Sequence, residues 1–117
     1  MPITLTDNPI YKILKINLVD NGSLDPDKKQ YINTLGSYNI IRVGVGHYQI
    51  TSSNLFTLDK TFVQISATGV VVAPNITYYI TDSSTIDIYT RNSSNTLSDG
   101  LLSEDNTYTS VLIEVYP

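Results

Sequence analysis

The side chains able to do chemistry are few and widely spaced in this 117-residue chain. There is one histidine, His47, in Gly44-Val45-Gly46-His47-Tyr48-Gln49-Ile50, and there is no cysteine. That excludes thiol nucleophiles, zinc ribbons, iron–sulfur clusters, disulfide frameworks and any relay of two imidazoles. A catalytic histidine needs a nucleophile or carboxylate beside it, and nothing in the local sequence marks one. Gly44-x-Gly46 is no dinucleotide fingerprint either: the third glycine position falls on Gln49, and no helix-forming stretch follows. Asp87 and Glu114 could form a glycosidase-like carboxylate pair, but both read as outward residues of alternating strands in a chain too short for an ordinary cleft. The oxygen-rich runs Asp20–Asp27 and Ser103–Asn106 invite calcium, yet neither has the ligand spacing of the helix–loop–helix site, and Asp and Asn favour turns for local reasons. No catalytic, cofactor-binding or metal-binding residue is assigned.

The tyrosines say more. Nine Tyr stand against two Phe and no Trp, and tyrosine combines a large contact area with a polar tip suited to interfaces and sugar faces. In Ile76-Thr77-Tyr78-Tyr79-Ile80-Thr81, Tyr78 shares the apolar face with Ile76 and Ile80 while Tyr79 points away. In Thr85–Arg91, Ile86 and Ile88 face one way and Asp87, Tyr89 and Arg91 the other. Tyr79, Tyr89, Arg91, Asn92 and Asn95 are therefore the candidate exposed contact surface. Period two of this kind marks half-buried antiparallel strands.

The rest of the chain agrees. Ile, Val and Thr make about a third of the residues, while Ala and Glu occur twice each, a mixture hostile to helices because β-branched side chains lose rotamer freedom there. Turn clusters at Asp20–Ser23, Thr51–Asn54, Ala73–Asn75, Asp82–Ser84, Arg91–Asn95 and Ser98–Gly100 divide it into runs of strand length. The closing run places Val111, Ile113 and Val115 inside and Glu114 outside. The glycines at 44 and 46 mark a bulge or a close backbone approach. A net charge of −4 and a pI near 4.6 argue against general affinity for nucleic acid. No signal peptide is visible, and no apolar run approaches the length of a membrane span. The expectation is one all-β domain, an antiparallel sandwich of about 8–10 short strands over residues 11–117. Residues 1–10, limited by Pro2 and Pro9, form a docking arm.

The order of these signals resembles a family. Gly46-His47-Tyr48-Gln49-Ile50 is a Gly-x-Tyr-x-Ile run, followed by Thr61–Ala67, by Tyr79-Ile80 and by Ile86–Thr90. Then come a Ser98-Asp99-Gly100 turn and the terminal Val111–Pro117. Over residues 38–117 this resembles the small trimeric jelly rolls of the complement and tumour-necrosis-factor type, especially those of bacteriophage head fibres and capsid decorations. The composition is similar to that of crAss-like gut phages. The resemblance implies a non-enzymatic virion-surface protein, assembled in the host cytoplasm and needing no cofactor. Its partners would be itself as a homotrimer, a larger capsid protein and a host-surface glycan, with neither nucleic acid nor membrane involved. Ile41, Val43, Val45 and Tyr48 are the expected trimer interface, since strands apolar on both faces must hide one of them. The chief alternative is a free-standing carbohydrate-binding module.

Overall fold

The computed structural model describes residues 12–68, 75–101 and 107–116. The expected docking arm, the apolar run Gly69–Ala73 and the Ser103–Asn106 loop lie outside them. The described residues form eight strands: β1 (Lys12–Val19), β2 (Asp27–Asn33), β3 (Asn39–Gly44), β4 (His47–Thr51), β5 (Thr61–Thr68), β6 (Asn75–Asp82), β7 (Thr85–Arg91) and β8 (Tyr108–Val115). They make two four-stranded antiparallel sheets, ordered β2-β1-β8-β5 and β3-β4-β7-β6. Among the described residues no helix is long and apolar enough to cross a membrane.

Alternation sets the layers. Leu14, Ile16 and Leu18 of β1 and Val111, Ile113 and Val115 of β8 are buried on the inner face of the first sheet. Tyr48, Ile50, Ile86 and Ile88 answer them from β4 and β7 of the second. Each fully buried aliphatic side chain contributes roughly 1.5–3 kcal/mol from removal of its surface from water. The phases read from the sequence hold for β6, β7 and β8. Tyr78 joins the two layers directly, its hydroxyl donating to the Val63 carbonyl on β5 at 2.9 Å.

The glycines at 44 and 46 mark an irregularity in β3–β4 pairing and a close backbone approach, and they also mark a chain reversal. The run through Gly44–Ile50 is a hairpin rather than a single strand: β3 ends at Gly44, Val45-Gly46 form the turn, and β4 starts at His47. Gly46 has φ +67°, and a Cβ there would stand 2.6 Å from the Thr90 carbonyl oxygen and 2.7 Å from the Ser98 nitrogen. The Gly46 carbonyl meanwhile accepts from Thr90 N at 2.8 Å. Only glycine tolerates both the conformation and that approach. Gly44 has open space around its Cα.

These two glycines therefore predict opposite outcomes. Gly46→Ala should cost about 3 kcal/mol, from a left-handed residue pressed against backbone. Gly44→Ala should shift the denaturation midpoint by no more than a typical surface change. Urea melts of the two variants check this, and equal midpoints would refute it.

Candidate functional site

Two carboxylates organise what lies outside the core. The first, Asp99, sits in the segment after β7 and closes one end of the sandwich. It accepts from Arg42 Nε at 3.3 Å and Nη2 at 3.0 Å, from Gly46 N at 2.8 Å and from the Tyr48 hydroxyl at 3.0 Å. Burial pushes the Asp99 pKa up, but the donors from Arg42, Gly46 and Tyr48 outweigh it and hold the group below its ordinary 3.8. Asp20 lies in the same field with the opposite balance. Burial and the nearby Asp99 charge raise its pKa, and its Oδ1 is buried without a hydrogen-bond partner among the described residues. Asp25 Oδ1 accepts from Arg42 N at 2.9 Å. Among the described residues no group of three His, Asp or Glu is placed to hold a metal ion. These aspartates close the end of the core.

The second carboxylate, Asp87, is the unusual one. It faces outward from β7, on a sheet face that no other described strand covers, yet it is only 6% exposed. Antiparallel register explains how. Across this face Ile41, Gln49, Asp87 and Tyr79 stand side by side on β3, β4, β7 and β6, and His47, Tyr89 and Thr77 form the adjoining row. Asp87 Oδ1 meets His47 Nε2 at 2.6 Å and Gln49 Nε2 at 2.9 Å, and Oδ2 accepts from the Thr81 hydroxyl. Burial raises the Asp87 pKa, but the hydrogen bonds from Thr81, His47 and Gln49 more than offset it, so the group titrates below 3.8.

Aromatic rings pave the surroundings. His47 stacks on Tyr89 with centroids 4.4 Å apart and planes 12° apart. Tyr79 meets Tyr89 edge-on at 5.9 Å. The Arg91 guanidinium lies 5.7 Å from the Tyr89 ring centre and donates to Thr77 Oγ1 at 3.2 Å. The result is a polar and aromatic platform whose atoms are fixed by one anion. All three donors converge on Asp87, and Glu114 lies on the outer face of the other sheet, opposite Phe62 in the β5 register. The two carboxylates weighed as a catalytic pair are on opposite sides of the sandwich.

The residues read as an exposed contact surface are thus partly assembled. Tyr79, Tyr89 and Arg91 come together on the platform. Asn92 and Asn95 occupy the turn after β7, where Asn92 Oδ1 accepts from Ser94 N and Thr96 N and Asn95 adopts φ +62°. The centre of the platform, His47, Gln49, Thr81 and Asp87, was not identified from sequence as a site. The available signal was Asp87 alone between Ile86 and Ile88 in a strand otherwise poor in charge. Of the expected trimer interface, Ile41, Val43 and Val45 are exposed, Val45 in the hairpin turn. Tyr48 requires correction: it is 0% exposed within one chain, in phase with Ile50 and bonded to Asp99, so it belongs to the core.

Comparison of the chain with protein-family models, curated proteins and solved structures returns no match.

The three aspartates with shifted pKa values, two lowered and one raised, predict an acid limb of known sign. Asp99 and Asp87 have folded pKa values below the unfolded one, so the stability they confer is present above about pH 4 and is lost as pH falls through their folded values. Asp20 has its pKa raised, so ionising it on going to neutral pH costs stability. Asp99→Asn should flatten the acid limb and lower stability at pH 7. Asp20→Asn should raise stability at pH 7 and leave it nearly unchanged at pH 2. Thermal melts from pH 2 to 7 measure both, and a destabilised Asp20→Asn at pH 7 would contradict the assignment.

Proposed function

We propose that this chain is a non-enzymatic structural protein of a bacteriophage virion. In this reading it is a homotrimeric jelly-roll head fibre or capsid decoration, seated on a larger capsid protein and exposing the Asp87 platform at the virion surface. The observation that carries the reading is the edge strand β3. Ile41 and Val43 point outward from it, Val43 being 51% exposed, and Val45 follows in its turn at 57%. An edge strand with an apolar outer row is a surface that soluble proteins cover or blunt. A three-fold ring covers it by one heterologous contact repeated until it closes.

Strand order supports the jelly-roll part. The first strand lies beside the last, β1 with β8, and β4 lies beside β7, while β5 and β6 add to the far sides of β8 and β7. The chain changes sheet between β2 and β3, β4 and β5, β5 and β6, and β7 and β8. Nesting of early against late strands across two layers is the jelly-roll pattern, and it accords with the resemblance over residues 38–117. The non-enzymatic part is supported by the wide separation of Asp87 from Glu114. A second reading, a free-standing carbohydrate-binding module, is favoured by the platform itself, which needs no second copy to be complete.

Sedimentation equilibrium separates the two. A trimer has about three times the 13.0 kDa chain mass, and Val43→Asp should reduce it to a monomer that keeps its circular dichroism. A wild-type mass of one chain would reject the trimer and favour the free-standing module. Labelling of intact particles with an antibody to the chain, viewed by electron microscopy, tests the virion location.

A further inference from the structure

The environment of Asp87 determines which hydrogen-bonding atoms the platform has left for a ligand. An ionised carboxylate only accepts, so each neighbour must turn a donor toward it. His47 meets Asp87 through Nε2, which requires a proton there; in the neutral form of the ring, Nδ1 is then an acceptor. Gln49 uses its amide nitrogen on Asp87 and keeps Oε1. Thr81 uses its hydroxyl proton and keeps its oxygen lone pairs. One buried anion thus turns three amphoteric side chains the same way, donors inward and acceptors outward.

An acceptor-rich surface over a negative charge repels carboxylates, sulfates and phosphates. Arg91 keeps its positive charge, but its guanidinium is held over the Tyr89 ring and on Thr77, in the row beside the acceptors that surround Asp87. The platform favours a ligand whose rim carries O–H donors. Beside the acceptors stands Tyr79, 57% exposed and propped edge-on by Tyr89, which offers an aromatic face to C–H groups. A ring with hydroxyl donors around its rim and an apolar C–H face matches both halves.

We infer that the Asp87 platform binds a neutral, hydroxyl-rich sugar ring, with His47 Nδ1, Gln49 Oε1 and Thr81 Oγ1 accepting from its hydroxyls and Tyr79 stacking against its face. This rests on the reading of that sheet as the contact surface of a binding protein, and it gives that surface a ligand class. Selection would come from donor–acceptor polarity: anionic sugars such as sialic acid meet the wrong charge. In a trimer three such sites would act together and gain avidity that a single shallow site lacks.

The test uses the full chain in its own oligomeric state on an array of oligosaccharides ending in neutral hexose, N-acetylhexosamine or sialic acid. Binding to neutral termini, competed by free methyl hexoside, is the expected result. His47→Phe keeps a ring over Tyr89 while removing the acceptor, and should weaken methyl hexoside binding about tenfold in an NMR titration. Tyr79→Ala should weaken it comparably without altering the thermal melt, because that side chain is outside the core. Preference for sialylated or sulfated termini overturns the inference, as does hexoside binding unchanged in both variants. No saccharide binding by a chain that sediments as a trimer overturns the ligand assignment and leaves the assembly reading standing. A monomer that binds neutral sugar supports the assignment and removes the trimer.

Discussion

The contact on which the rest of the molecule depends is the grip of Asp99 on the β3–β4 hairpin. Its carboxylate gathers Arg42, the Gly46 nitrogen and the Tyr48 hydroxyl, three groups from a stretch of seven residues, onto a segment more than fifty positions later in the chain. Such long-range pairing is slow to find and entropically expensive, so it needs strong, charge-assisted geometry. Once made, it brings the hairpin turn against the end of β7, where Thr90 N reaches the Gly46 carbonyl and no side chain fits between the backbones. That approach sets the β4–β7 register. With it set, His47 must stand opposite Tyr89 and Gln49 opposite Asp87. A slip of one residue would carry Tyr48 and Ile50 to the outer face and His47 and Gln49 into the core.

The same chemical group does two jobs under two kinds of neighbour. Asp99 has a guanidinium, so charge is matched by charge, and the pair closes the core at its end. Asp87 is surrounded by Gln, Thr and an imidazole stacked on tyrosine, with hydrogen bonds supplying what a counter-ion supplies elsewhere. A burial this deep on an open sheet face could have been avoided with an aliphatic or an exposed hydroxyl residue. The arrangement accepts a desolvation cost in exchange for fixed side-chain polarity. Preorganisation of that kind reduces what a ligand must order on binding, and it is the physical difference between this face and an ordinary solvated strand surface.

How much of this was legible in the sequence divides along a clear line. Local periodicity carried the all-β class, the phases of β6, β7 and β8, and the outward placement of Asp87, Tyr89 and Arg91, because alternation within one strand is a property of that strand alone. The tight hairpin is not announced locally because Val45-Gly46 is not one of the usual two-residue turn pairs, and Val43, Val45 and His47 preserve an apparent alternation through it. Tyr48 was placed at an interface although it shares the phase of Ile50, and the partner that draws its hydroxyl inward, Asp99, is remote in sequence. His47, Gln49 and Thr81 come from two strands that never touch each other, one on each side of β7. Nothing in their spacing announces a cluster, since it exists only through cross-strand register.

Register also determines how assembly and recognition would share the molecule. On the outer face of the second sheet the order is Ile41, Gln49, Asp87, Tyr79. With neighbouring strands about 4.8 Å apart, the apolar row of β3 lies directly beside Gln49, the platform's β4 member. A neighbouring copy covering Ile41 and Val43 would therefore end beside Gln49, closing one flank of the platform while Tyr79 on the opposite edge strand stays open. In the proposed trimer each site becomes a recess with one wall supplied by assembly, and its open side faces away from the contact. In that arrangement, covering the vulnerable edge and shaping the binding face would be one act of packing, with the apolar residues on β3 and the exposed Tyr79 ring on β6.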